Sequence, residues 1–349
     1  MTFVLSWSAA GLASFGAWVA LAATDRYPSV PERSAPTLVC PLSPGDSGSK
    51  YEFASNPWVN LHNFLLQQGK SARGRDDDAL GTRGFLPEDT VAGRQLTPSE
   101  RVRWTAAVRF LAGAELADSM GIDSLVIGVT NPLAAAAPNG RLDDVVLRSD
   151  LRRVLLDVMP IYRAVWWRGH DARNQRWVAA MQGELRGRER CLVRRAEEVL
   201  RSPWPVSPIR VDASVYANWF GAYSTHRPTH ITVSANARGT QEAFGLEVLL
   251  HETGHAMMSV IDSALAVEAA RQNKLLPRQF SHLILFYTAG ALVREVEPAH
   301  VPFADEFGIW DRNGVARRYR ELIDREWQPY LSGSRPFCET IASLVHELP

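Results

Sequence analysis

An almost wholly apolar stretch at residues 244–260 contains two histidines and two glutamates. It reads FGLEVLLHETGHAMMSV, and its length and composition predict a buried helix. Burying polar side chains without partners is costly, so His251, Glu252 and His255 need partners in the protein interior. This requirement is the strongest constraint that the sequence places on the fold.

The spacing of the two histidines predicts a metal site. His251 and His255 are one helical turn apart, so both imidazoles project from the same helix face and suit Zn²⁺. Glu252 lies one position further round the helix, where its carboxylate can act on water as a general base. Glu247 lies one turn before His251. Two roles stay open for it: accepting the free N–H of a ligating imidazole, or lying at the surface in the first helical turn.

The sequence H-E-T-G-H at residues 251–255 resembles the H-E-x-x-H motif of the zincin metallopeptidases. In that family an edge strand runs antiparallel to the substrate and precedes the motif helix, and residues 230–235 and 244–260 occupy those places here. The resemblance spans about residues 212–294, and only the five-residue motif is specific. It implies a zincin-like core and bound zinc, and it leaves the substrate open.

The third metal ligand does not follow the best-known zincin patterns. Met258 and Ile261 stand where metzincins carry Gly and His. Lys274 and Leu275 stand where thermolysin-like and aminopeptidase-like gluzincins carry a glutamate. The resemblance is therefore to a gluzincin-like site with an atypical third ligand.

His282 is the preferred third ligand. It opens an apolar run, residues 281–293, that is predicted to form a helix returning antiparallel to the motif helix. Glu295 is the alternative. Asp262 is too far along an unbroken helix and is expected to cap the next helix. Glu268 is out of reach unless the chain turns sharply after Ser259, and Glu297 is expected to lie at a solvated helix end.

A zinc hydrolase also needs a hydrogen-bond donor for the negative charge that develops on the substrate oxygen. Tyr223 and His230 flank the predicted edge strand, and we expect both to be within reach of a bound carbonyl. His226 and Tyr287 are further candidates. On the predicted helix, however, Tyr287 points away from His282.

The N-terminal 24 residues carry no charged side chain, and the apolar run at residues 3–23 precedes Asp25. Small residues around Ala22 predict a signal peptide cleaved near that position, and an uncleaved membrane anchor is the alternative. Both interpretations place the rest of the protein outside the cytoplasm, as a periplasmic, secreted or membrane-anchored protein.

The remaining chain divides into three predicted regions. Residues 24–54 form a polar linker, and residues 55–202 form a helical region whose periodic segments include 97–118, 143–158 and 171–200. Residues 203–349 contain two strands, 209–213 and 230–234, followed by the motif helix. The predicted fold class is mainly α with a small β-sheet, with the zincin-like core after the helical region.

Charge and cysteine content exclude several other classes of protein. Basic and acidic residues are equal in number, at 38 each, so no net field attracts nucleic acid. The three cysteines, Cys40, Cys191 and Cys338, allow one disulfide at most and exclude a Cys-x-x-Cys zinc knuckle.

The sequence thus predicts an exported zinc-dependent hydrolase, a metallopeptidase that cleaves a peptide or another amide substrate. Zn²⁺ would be its cofactor and Glu252 its general base. The alternative is an exported binding protein, zinc-stabilised or metal-free, without catalytic activity. A fourth protein ligand in place of water would favour that alternative, because structural zinc sites leave no open position.

Overall fold

The computed structural model describes residues 48–72, 85–113, 124–138, 142–206, 208–217, 221–226, 228–311 and 315–348. Within these ranges the protein is mainly helical and has one small mixed sheet, which confirms the predicted fold class. The predicted signal or anchor at residues 1–23 and most of the predicted linker lie outside the described residues. No described helix is long and apolar enough to cross a membrane.

The first part of the described chain is helical. Its helices are α1 (Pro57–Ala72), α2 (Pro87–Arg94), α3 (Pro98–Gly113), α4 (Ser124–Ala135), α5 (Ser149–Tyr162), α6 (Arg168–Leu185) and α7 (Glu189–Leu200). A π-helical segment, Arg163–Trp167, joins α5 to α6. α1 approaches α3 closely at Gly69, where a Cβ atom would lie 2.8 Å from the backbone nitrogen of Ala112.

Helix boundaries follow local capping chemistry. α3 begins at a reciprocal capping box, in which the Thr97 backbone N–H donates to Glu100 and the Glu100 N–H donates to the Thr97 hydroxyl. The helix predicted from residue 143 begins only at Ser149. The helix predicted over 171–200 is two helices, because the chain turns at Gly187 with φ of 78°.

The sheet has four strands, β1 (Tyr51–Ala54), β2 (Ile209–Ser214), β3 (Ala222–His226) and β4 (Thr229–Ser234), in the order β1-β2-β4-β3. β2 is parallel to both of its neighbours, and β3 is antiparallel to β4. β1 lies inside the predicted linker, and neither β1 nor β3 was predicted. The strand predicted at 230–234 is confirmed as β4. Its predicted edge position is wrong, because β4 lies between β2 and β3, and the edge strands are β1 and β3.

The helices after the sheet are α8 (Glu242–Gly254), α9 (Ser259–Arg271), α10 (Phe280–Val296), α11 (Phe303–Glu306), α12 (Val315–Glu326), α13 (Gln328–Leu331) and α14 (Phe337–His346). The predicted motif helix therefore ends at Gly254, and a turn separates it from α9. The helix predicted at 281–293 is confirmed as α10.

The two faces of the sheet differ in character because successive side chains of a strand point to opposite sides. Val211, Ile231 and Val233 pack in one hydrophobic core with residues of α8 and α10. The opposite face carries buried polar side chains, including Asp212 and His230, and lies against α1 and α4.

The division between the two hydrophobic cores does not coincide with the predicted boundary at residue 203. Trp177 of α6 and Leu192 of α7 belong to the core around α8, whereas Tyr223 of β3 belongs to the core of the first helices. The state of the cysteines agrees with the expectation of one disulfide at most. Cys191 is disulfide-bonded, and Cys338 is a free, exposed thiol.

Candidate metal and catalytic site

Three histidines come together where α8 meets α10. One ring nitrogen from each of His251, His255 and His282 lies within 4.8 Å of the other two. The Nε2 atoms of His251 and His282 are 3.1 Å apart. The structure thus brings together the three side chains that the sequence predicts as metal ligands. We refer to them as the histidine cluster.

Local helix geometry and helix packing both contribute to the histidine cluster. His255 follows the last residue of α8, and its backbone N–H donates to the His251 carbonyl at 3.2 Å, so the helical spacing extends to His255. His282 lies in the first turn of α10. The two helices can approach because residue 254 is glycine: a Cβ atom there would lie 2.5 Å from Cδ1 of Leu285.

The histidine cluster fits Zn²⁺ in ligand type and spacing. Imidazole nitrogens are common zinc ligands, and at Zn–N distances of about 2.0–2.1 Å two ligands of a tetrahedral site lie about 3.3 Å apart. The 3.1 Å separation of the His251 and His282 nitrogens is close to that value. Three protein ligands would leave a fourth position for water or substrate, as in catalytic zinc sites.

Burial keeps the histidines in the form that binds metal. Desolvation lowers the pKa of His255 to about 3 and that of His282 to about 4, and it lowers the pKa of His251 well below its usual range. Repulsion between the neighbouring rings adds to this effect at His251 and His255. All three imidazoles are therefore neutral at pH 7, with a nitrogen lone pair available to a cation.

Glu252 is buried beside the histidine cluster without belonging to it. Desolvation raises the pKa of Glu252 to about 7, and a hydrogen bond with the Ser224 hydroxyl of β3 acts in the opposite direction. A carboxylate that titrates near neutrality can both accept and return a proton, as a general base requires. The sequence did not identify Ser224, because β3 was not predicted.

The alternation of β3 decides which of its side chains face this site. Ser224 faces Glu252 and lowers the pKa of its carboxyl group, and His226, two residues further along, shares that face. The His226 ring lies edge-on to the His255 ring, with the ring centroids 6.2 Å apart. Tyr223 and Thr225 point to the other side of the sheet.

The structure therefore does not bring Tyr223 or His230, the two predicted oxyanion donors, to the histidine cluster. The Tyr223 hydroxyl is buried on the far side of the sheet, where it donates to Asn63 Oδ1 at 3.1 Å and contacts the Thr130 hydroxyl at 3.3 Å. His230 pairs across the strands with Thr225, on that same far face, and its Nε2 contacts Asp212 Oδ2 at 2.8 Å.

Tyr287 also has partners away from the histidine cluster. Its hydroxyl donates to Asp324 Oδ1 at 2.5 Å and contacts Gln328 Oε1 at 3.0 Å. This placement agrees with the expectation that Tyr287 points away from His282. Of the four predicted donors, His226 alone lies beside the cluster.

Glu247 does not contact a ligating imidazole, and it is buried rather than at the surface. Its Oε2 atom accepts from His300 Nε2 at 2.6 Å and from the Phe303 backbone N–H at 2.8 Å. Among the described residues, His251 Nδ1 has no hydrogen-bond partner. Glu247 thus links α8 to the segment after α10, and the structure places it neither against a ligating imidazole nor at the surface.

Two side chains that the sequence did not suggest support the ligand rings. Gln279, one turn before His282, has its Oε1 atom 3.3 Å from His282 Nδ1. The Phe286 ring packs against His251 and His282, with centroid distances of 4.0 and 4.7 Å. Spacing along α10 could have suggested both, because they lie three and four residues from His282.

The acidic alternatives for the third ligand have other partners or lie outside the cluster. Glu295 pairs with Arg195 at 2.9 Å, and Glu297 pairs with Arg188 at 3.1 Å. Glu268 pairs with Arg271 on its own helix. Of the five candidates considered, His282 is the one that joins His251 and His255.

No known protein family, curated protein or solved structure matches this chain. The likeness to zincins therefore rests on the H-E-T-G-H sequence alone and remains a resemblance. Any functional conclusion depends on the geometry of the histidine cluster, Glu252 and β3.

Proposed function

We propose that this protein is a zinc-dependent hydrolase, a metallopeptidase that cleaves amide bonds. The observation that carries the proposal is the position of buried Glu252 beside His251, His255 and His282, without being part of their cluster. Neutral histidines to hold the metal and a separate carboxylate with a pKa of about 7 are the two components that metal-assisted hydrolysis requires.

Each of these side chains has a defined role in the proposed reaction. Zn²⁺ held by the histidine cluster would supply Lewis acidity toward water and toward the substrate carbonyl. Glu252 takes a proton from the attacking water as the water oxygen bonds to the carbonyl carbon. It then passes that proton to the amide nitrogen as the C–N bond breaks, so Glu252 ends as the carboxylate with which it began.

Two further observations support an enzyme over a structural zinc protein. Within the described residues the candidate ligand group has three members, whereas structural zinc sites are closed by four. A glutamate buried beside the site, with its pKa raised by desolvation, is costly to maintain and is typical of functional sites.

We also propose that the protein acts outside the cytoplasm, on a peptide or another amide substrate. The uncharged apolar run at residues 3–23 supports export. The disulfide at Cys191 supports an oxidising compartment, because disulfides rarely persist in the cytosol.

The first test is the metal content of the mature protein, purified without chelators and measured by elemental analysis. We expect about one zinc per chain, kept by Glu252→Gln and lost by His282→Ala. Hydrolysis of a quenched-fluorescence peptide library and of cell-wall peptide fragments is then compared between wild type and Glu252→Gln. A wild type that takes up no zinc even on reconstitution would overturn the proposal, and zinc binding with no Glu252-dependent hydrolysis would favour a binding protein.

A further inference from the structure

His226 is at the end of the edge strand β3 and is exposed beside the histidine cluster. We propose that His226 donates a hydrogen bond to the carbonyl oxygen of the substrate as negative charge develops there, and that it is not a fourth metal ligand. This inference rests on the proposed hydrolase function and adds a catalytic residue to it.

The register of the sheet fixes the direction of His226. Its neighbour on the same face is Ser224, two residues earlier in β3. β3 and β4 pair Ser224 with Ile231, whose side chain lies in the core around α8. His226 therefore lies on the α8 side of the sheet, together with the general base and the histidine cluster.

Distances separate His226 from the metal ligands. The ring centroids of His251, His255 and His282 are 4.8 to 5.0 Å apart in all three pairs. The His226 ring is 6.2 Å from His255, and His226 is not a member of the ligand group. It is thus close enough to contact a molecule bound at the cluster without itself completing the coordination.

Unlike the other three predicted donors, His226 has a ring that is open to a substrate. The Tyr223 and Tyr287 hydroxyls donate to Asn63 and Asp324, and His230 contacts buried Asp212. His226 is exposed, so a substrate can reach its N–H without breaking a buried network. The His226 ring keeps its proton throughout the reaction, because it donates a hydrogen bond and transfers no proton.

The test uses zinc-loaded protein with His226→Ala, and with His226→Gln, which keeps a side-chain donor. We expect zinc affinity, measured by competition with a chromophoric chelator, to stay within about twofold of wild type, since His226 is not a ligand. With a peptide substrate, kcat should fall about 100-fold or more in His226→Ala, with a smaller change in KM. The His226→Gln variant should recover part of the lost kcat. Tyr287→Phe serves as the matched control and should retain wild-type kcat.

A second measurement does not depend on finding a substrate. Acetohydroxamate binds zinc through oxygens that carry negative charge, and a donor beside the metal should strengthen its binding. We expect its Kd for the zinc-loaded protein to rise about tenfold in His226→Ala and to stay near wild type in Tyr287→Phe.

The outcomes separate the role of His226 from the proposed function. An unchanged acetohydroxamate Kd or an unchanged kcat in His226→Ala overturns the role of His226 alone. If His226→Ala loses as much zinc affinity as His282→Ala, His226 is a fourth metal ligand, and its proposed role as a donor is overturned. A wild type that binds no zinc overturns the proposed function itself.

Discussion

The Nε2 atoms of His251 and His282 lie 3.1 Å apart although 31 residues separate the two histidines in the chain. Their meeting depends on the packing of α10 against α8, where Gly254 lies against Leu285. The glycine inside H-E-T-G-H thus has a packing role as well as a place in the motif. Without that packing, His251 and His255 would offer two nitrogens, one fewer than catalytic zinc sites have.

Replacement of His282 by alanine should weaken zinc binding by more than 100-fold. One of three ligand nitrogens is lost, and even residues that only support ligands cost about 10- to 100-fold. Zinc affinity is measured by chelator competition, with His346→Ala, an exposed histidine on α14, as the control. Equal affinities for the two variants would show that His282 is not a ligand.

Glu252→Gln should abolish hydrolysis and stabilise the zinc-free protein at high pH. The pKa of Glu252 is about 7 in the folded protein and about 4.5 in the unfolded chain. Between these values the unfolded chain releases the proton and the folded protein keeps it, so the free energy of unfolding decreases as pH rises from 4.5 to 7.

The gain from Glu252→Gln at pH 8 should be about 3 kcal/mol, because each pKa unit is worth about 1.4 kcal/mol. Urea denaturation in the presence of a chelator, at pH 4.5 and pH 8, measures the difference between the variant and wild type. The stabilisation should be small at pH 4.5, where the folded protein holds the proton and about half of the unfolded chains still do. The same stabilisation at both pH values would contradict the raised pKa.

Tyr223→Phe should destabilise the protein by about 1 kcal/mol and leave catalysis intact. The substitution removes the hydroxyl that contacts Asn63 and Thr130 on the far side of the sheet, and one buried hydrogen bond is worth about that much. Urea denaturation and kcat are measured together. A 100-fold loss of kcat at full zinc content would place the Tyr223 hydroxyl at the substrate after all.

Glu247→Ala should destabilise the protein by about 3 kcal/mol, because it leaves buried His300 and the Phe303 N–H without their acceptor. Zinc affinity should change only a few-fold, since Glu247 contacts no ligating ring. Glu347→Ala, at an exposed glutamate paired with Arg325, is the control and should cost less than about 1 kcal/mol. A loss of zinc without a loss of stability would restore Glu247 to the metal site.

Local patterns in the sequence predicted the features that depend on near neighbours. The four-residue spacing of His251 and His255 follows from one helical turn, and the capping box at Thr97 follows from a three-residue contact. The apolar composition of residues 281–293 predicts the α10 helix, and the position of His282 at its start indicates a third ligand. Each of these features depends on residues within a few helical turns of one another.

Long-range pairing decided the rest of the site. After β2 the chain forms β3 at the edge of the sheet and then returns as β4 between β2 and β3, so the predicted edge strand is internal. The side chains of Tyr223 and His230 therefore lie on the face away from α8. A shift of one residue along a strand reverses the face of a side chain, which is why Ser224 and His226 face Glu252 and Tyr223 does not.

The sequence by itself determined the mainly helical fold class, the two histidines and the glutamate of the motif, and the candidate third ligand. Only the tertiary structure decided that His282 meets them, that Glu247 binds His300, 53 residues away, and that β3 supplies Ser224 and His226. The physical reason is that helical periodicity is a property of neighbouring residues. Strand order, register and helix packing depend on contacts between residues far apart in the chain.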